Sequence, residues 1–210
     1  ALLAWREGLI APILIGDPAR TRAAAGDETL QDLEIIDEPD HEKAAARACA
    51  LVHDGRADAL MKGHLHTDQL LRPIVNRQTG LRVGNRRLTH VFVMDVPGMA
   101  HPIMVTDAAI NIAPDLRTKV DIVQNAIDLA ISLGSQKPLV GVLSAVETVN
   151  PDIQSSVDAA LLSKMADRGQ ITGGLVEGPL AMDNAVDLAA ARTKGLRCEV
   201  AGRANILVAP

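Results

Sequence analysis

Aromatic residues are almost missing from this sequence of 210 residues: Trp5 and Phe92 stand alone, and there is no tyrosine. That argues against base-stacking platforms for nucleic acids and against aromatic cages, both of which need such rings. Basic residues are present but form no stripe. The 21 Lys and Arg are scattered among 26 Asp and Glu, giving a net charge of −5, whereas a nucleic-acid binder shows a basic face. Cysteine is limited to Cys49 and Cys198, with neither metal-type spacing nor a CxxC partner, so both read as free thiols in a reducing compartment. No apolar run reaches membrane-spanning length and no secretory leader is visible, which makes the cytoplasm the expected location. Three phosphate and nucleophile motifs are lacking as well: no GxGxxG follows a strand, there is no Walker A loop, and the LSAVE around Ser144 lacks the glycines of GxSxG.

What is present is a core-forming composition, 48% hydrophobic and rich in Ala, Leu, Val and Ile. In the first half, short apolar runs alternate with amphipathic stretches. Ala11–Gly16, Leu33–Ile36 and Asp58–Met61 read as strands. Helices are expected after Asp17-Pro18, between the cap Asp40 and the stop Gly55, and from Thr67 to Asn76. Alternation of this kind implies right-handed βαβ units and a parallel sheet covered on both faces. The polar segment QTGLRVGNRR then suggests a boundary near Arg82.

Beyond it, Leu88–Val96 and Pro102–Thr106 lie close enough for an antiparallel hairpin. Asp115 opens a long helix with Val120, Val123, Ile127 and Ile131 on one face and Gly134 as its stop. Strands at Leu139–Ser144, Gly173–Val176 and Ala204–Ala209 follow, with helices from Asn150 to Met165 and from Ala181 to Lys194. The sequence starts without Met inside a helical pattern and stops at Pro210 directly after an apolar run, so a chain truncated at both ends is expected.

The stretch DALMKGHLHTDQLLRP, Asp58 to Pro73, carries the clearest chemistry. A strand end, a glycine, His64 and His66, a helix start and Arg72 outline an anion site, because helix N-termini and the carboxyl ends of strands favour anions. No third ligand at a known spacing accompanies the two histidines, so hydrogen bonding is preferred to metal binding. Arg72 reads alone as a surface ion pair, yet arginine is also the side chain that grips phosphate in a fork. Asp95, Asp107 and Asn111 follow strand ends, where a turn or cap role competes with a cleft-lining one. Ser144, Glu147 and Asn150 share the loop after the Leu139 strand, and Gly178 would permit close approach of a ligand.

Seven segments in order, DALMKGHLHTDQLLRP, HVFVMDVPG, TDAAINIAPD, LSAVETVNP, KMADRGQITGG, GPLAMDNA and VAGRANILVAP, resemble the phosphate acetyltransferase/phosphate butyryltransferase family. The resemblance is to the form often fused to a MaoC-type enoyl-CoA hydratase domain. It implies a two-domain α/β fold of the isocitrate and isopropylmalate dehydrogenase type, with the active cleft between domains. Residues 1–82 plus 199–210 would form the first domain and 83–198 an inserted second one. It further implies transfer of an acyl group from coenzyme A to inorganic phosphate with no prosthetic group, in a homodimer or larger oligomer. By position, Arg72 matches the phosphate-holding arginine and His64 its neighbour, while Ser144 and Asp183 match polar positions of the coenzyme A and phosphate site. The family's Thr-Ser-Arg-Ala-Asp segment would lie downstream of Pro210. Two other readings are a dehydrogenase of the same superfamily and a non-catalytic coenzyme A- or phosphate-binding module.

Overall fold

The computed structural model describes all 210 residues and divides into two units, Ala1–Asn85 and Arg86–Pro210. In the first unit α1 (Leu2–Arg6) precedes β1 (Ile13–Gly16), α2 (Pro18–Ala25), β2 (Glu34–Asp37), α3 (His41–His53) and α4 (Thr67–Ile74). Strands β1 and β2 pair in parallel, Ile13 against Glu34 through Gly16 against Asp37. Side-chain capping sets the helix starts. Asp17 accepts from the amides of Ala19 and Arg20, and Asp40 from that of Lys43.

The strand expected at Asp58–Met61 does not form: these residues lie in an irregular segment, and Met61 is 75% exposed. The only strand ladder of the unit is the one between β1 and β2, and three apolar residues without a ladder leave their backbone groups to water.

The second unit is built on a five-stranded sheet in the order β3-β4-β7-β5-β6. Its elements are β3 (Val91–Met94), β4 (Ile103–Thr106), α5 (Leu116–Ser132), β5 (Leu139–Leu143), α6 (Gln154–Asp167), β6 (Leu175–Leu180), α7 (Met182–Val186), α8 (Leu188–Thr193) and β7 (Ile206–Val208). Only β3 is antiparallel, forming the hairpin with β4; β4, β7, β5 and β6 run parallel. The protein is thus of the α/β class with predominantly parallel sheets.

Alternation along the strands separates two apolar layers. Met104, Val140, Val142, Val176, Ile206 and Val208 face α5 and α6, while Ile103, Leu180 and Leu207 face α7, α8 and the turn at Val200–Ala204. On α5 the fully buried stripe is Ile122, Val123, Ala126, Ile127 and Ala130. Ile131, expected on that face, is 47% exposed, because the small alanines let the helix approach the sheet along their own side.

Three expectations are corrected here. The segment 199–210, expected to return to the first domain, contains β7, which lies between β4 and β5 and supplies the most deeply buried strand of the second unit. The helix expected from Ala181 to Lys194 breaks at Asp187, which is extended (φ −111°, ψ 117°) and accepts from the Ala189 amide to start α8. Gly178 does not open space for a ligand: a Cβ there would stand 2.8 Å from the Val142 carbonyl oxygen and 3.0 Å from the Ala159 Cβ, so the missing side chain admits β5 and α6.

Candidate functional site

Because β4, β7, β5 and β6 are parallel, their carboxyl ends lie along one edge of the sheet, where α/β proteins bind ligands. Polar burial in this chain is concentrated there. All eight buried polar residues, Thr106, Asp107, Thr118, Lys119, Ser144, Ser156, Asp158 and Asn184, stand just after a strand, at its last residue, or in the first two turns of the following helix. Burying a polar group costs free energy unless it is bonded, so such a belt has to be internally organised.

Ser144 leaves β5 with its amide donating to the Leu180 carbonyl at 2.8 Å, and its Oγ lies 2.9 Å from Ser155 Oγ in the first turn of α6. The loop between them is closed at its far end as well. Asn150 N donates to Ser156 Oγ (2.9 Å), and that hydroxyl lies 2.8 Å from both the Asn150 and Ile153 carbonyl oxygens, donating to one of them. These bonds delay the helix start from Asn150 to Gln154, since Asn150 Oδ1 is engaged as a turn acceptor by the Asp152 amide. Along the loop, Glu147 pairs with Lys194 at 2.9 Å. The hydrogen bond from Lys194 holds the Glu147 carboxyl below its usual range, and the same contact, with a smaller contribution from the charge on Asp183, raises Lys194. Ser144 and Asp183 therefore belong to one strand-end region. Asp183 is exposed, while the next residue, Asn184, is fully buried with neither amide atom hydrogen-bonded.

At the end of β4, Asp107 is a built anchor. Its Oδ1 accepts from the amides of Ala109 and Ile110, and its Oδ2 from His90 N and Asn111 Nδ2. Asn111 also donates to the Leu88 carbonyl. Of the two uses open to Asp107 and Asn111, the observed one is loop formation.

Beneath this edge lies a buried ion pair. Lys119 Nζ of α5 meets Asp158 Oδ2 of α6 at 2.9 Å with side chains 7% and 6% exposed, and Gln154 Nε2 donates to the other Asp158 oxygen at 2.8 Å. Sequence reading missed both partners, although a signal existed. Lys119 lies three and four residues before Ile122 and Val123 on the buried stripe, and Asp158 sits beside Ala159 and four before Leu162 on that of α6.

In the first unit, Arg72 and His64 are both exposed. Arg72 Nη1 donates to Glu42 Oε1 at 2.7 Å, a contact between side chains 65% and 56% exposed, which contributes at most about 1 kcal/mol. The turn before α4 is shaped by Lys62, whose Nζ donates to the Leu65 carbonyl at 2.8 Å, and by Gln69, whose Oε1 accepts from the His66 amide. His53 Nε2 bonds the Gly80 carbonyl at 2.8 Å. No group of three or more His, Cys, Asp or Glu side chains is placed to hold a metal ion.

A profile of the family described as "Phosphate acetyl/butaryl transferase" matches residues 41–210. The chain belongs to this family. A member from Rhizobium meliloti named phosphate acetyltransferase is 55% identical, over 100% of this chain and 67% of its own length. One from Clostridium acetobutylicum named phosphate butyryltransferase is 42% identical, over 99% of the chain and 69% of its own. The crystal structure of a branched-chain phosphotransacylase from Enterococcus faecalis V583 superposes with a TM-score of 0.74 at 28% identity, covering 95% of this chain and 79% of that one. The chain spans 60% to 70% of the lengths of the curated transferases it matches. No helix is long and apolar enough to cross a membrane.

Proposed function

We propose that the protein carrying this chain catalyses acyl-CoA + phosphate → acyl phosphate + CoA. A phosphate oxygen attacks the thioester carbonyl, a tetrahedral oxyanion forms, and collapse expels the coenzyme A thiolate, which takes up a proton. The observation that carries this reading is the match of almost the whole chain to both acetyl- and butyryltransferases. Attack by an anion on a carbonyl calls for positive charge on the phosphate and for donors aimed at the oxyanion.

In this proposal Arg72, with His64 as its neighbour, is the phosphate-gripping group. Glu42 engages one of its five N–H donors, so the remaining fork stays usable by a dianion. Ser144, with a hydroxyl at the strand edge, and Asp183 contact the coenzyme A and phosphate substrates. The two-domain organisation of the isocitrate dehydrogenase type, a homo-oligomeric assembly and fusion to a MaoC-type hydratase domain belong to the same proposal. So does a cytoplasmic location, which the free thiols of Cys49 and Cys198 fit. No observation favours the dehydrogenase or the non-catalytic module.

Arg72→Ala tests the site. In the full-length enzyme it is expected to weaken apparent phosphate affinity by roughly 2–4 kcal/mol, read from initial rates of thiol release across a phosphate titration. An unchanged phosphate dependence removes Arg72 from the site.

A further inference from the structure

The ion pair between Lys119 and Asp158 is the one buried charge pair of the second unit, and nothing in the acyl-transfer chemistry calls on it directly. As a source of stability it is unremarkable, since desolvating two charges offsets most of their attraction. Its place in the hydrogen-bond network gives it another role. Asp158 spends one oxygen on Lys119 and the other on Gln154, the first residue of α6. The next two residues hold the two ends of the loop that leaves β5: Ser155 bonds the Ser144 hydroxyl, and Ser156 bonds Asn150. The first turn of α6 is therefore the mount of that loop, and Lys119 ties the mount to α5.

We propose that Lys119 is a positioning residue for acyl transfer, acting through Asp158, the first turn of α6 and Ser155 to set the Ser144 hydroxyl and its loop. The inference rests on the acyltransferase reading and adds to it which buried groups align the strand-end side of the site. A buried pair suits this task because its geometry is narrow: Gln154 fixes one oxygen of Asp158 within α6, so the other can meet Lys119 only in one register of α6 against α5, and a shift between the helices breaks that bond in a site closed to water.

The test uses the full-length enzyme and acyl-CoA thiol release. Lys119→Met strands an unpaired buried carboxylate and is expected to lower both stability and turnover. The double variant Lys119→Met/Asp158→Leu removes both charges and is expected to regain most of the thermal stability, while kcat/KM stays at least about tenfold low with a raised KM for phosphate or acyl-CoA. Recovery of kcat/KM together with stability overturns the proposal, because the pair then only fills space. Ser155→Ala provides a second arm that hardly loads the fold, since Ser155 is half-buried. It is expected to impair the same kinetic constants without moving the melting temperature, and wild-type constants in Ser155→Ala overturn the proposed route whether or not the double variant folds. A wild-type enzyme that shows no phosphate-dependent thiol release fails the acyltransferase reading instead, an outcome separable from either result.

Discussion

Gly202→Ala is expected to destabilise the second unit by about 3–5 kcal/mol, a large loss for a single methyl group. Two independent strains add. Gly202 has φ +78°, a left-handed conformation that costs a residue with a side chain about 1–2 kcal/mol. A Cβ at this position would also stand 2.4 Å from the Leu188 Cα and 2.8 Å from the Leu188 amide nitrogen. Both obstacles are backbone, so no rotamer change relieves them. The contact holds a junction together: Gly202 N donates to the Asn184 carbonyl at 2.8 Å and Ala204 N to that of Ala185 at 3.0 Å, docking the lead-in to β7 against α7 and the break before α8. Urea denaturation followed by circular dichroism checks this. A midpoint within error of the wild type would show that the turn has room the structure does not give it.

Asp107→Ala is expected to cost a comparable amount, about 3–5 kcal/mol, by a different mechanism. It leaves four donors, the amides of His90, Ala109 and Ile110 and the Asn111 side chain, without their acceptor in a site where Asp107 is 7% exposed. Asp107→Asn is also damaging, because one carboxylate oxygen becomes an N–H₂ group that faces either the His90 and Asn111 donors or the amides of Ala109 and Ile110. Burial alone would push the Asp107 carboxyl up, but the hydrogen bonds from Ile110, Ala109, Asn111 and His90 outweigh it, so the carboxyl lies below its ordinary value of 3.8. With the folded-state value below the unfolded one, the stabilisation is present above about pH 4 and is lost as pH falls through the folded-state value. Wild-type stability should therefore decline with acidification below about pH 4, and that part of the decline should vanish in Asp107→Ala. An acid limb of equal slope in both proteins would contradict the assigned bonds.

The parts of the fold that were legible in the sequence are those set by local chemistry. Asp17, Asp40 and Asp115 were readable as caps because a short acceptor before a helical period has few other uses. The β3–β4 hairpin was readable because its connection is too short for a crossover. What escaped depends on distant partners. Asp58–Met61 has the composition of a strand but no strand to pair with. At the break capped by Asp187, the backbone of Leu188 closely approaches Gly202, a contact with a distant residue that the local sequence does not show. The position of β7 follows from which strands flank it, which no local pattern encodes. At the site, motif resemblance pointed to Ser144 and Asp183 at the strand edge and to Arg72 in the first unit. The groups that shape the same edge from beneath, Lys119, Asp158 and the half-buried Ser155, lie outside the quoted motifs. They are visible only as polar residues on stripes or at helix starts that otherwise pack.

The central claim, acyl transfer to phosphate, is tested most directly by one measurement on the full-length protein. Free thiol is followed with acetyl-CoA and butyryl-CoA in the presence and absence of inorganic phosphate. Thiol release that requires phosphate and is matched one-for-one by acyl phosphate is the expected result. Bound coenzyme A with no phosphate-dependent thiol release would contradict the claim and leave a binding module in its place.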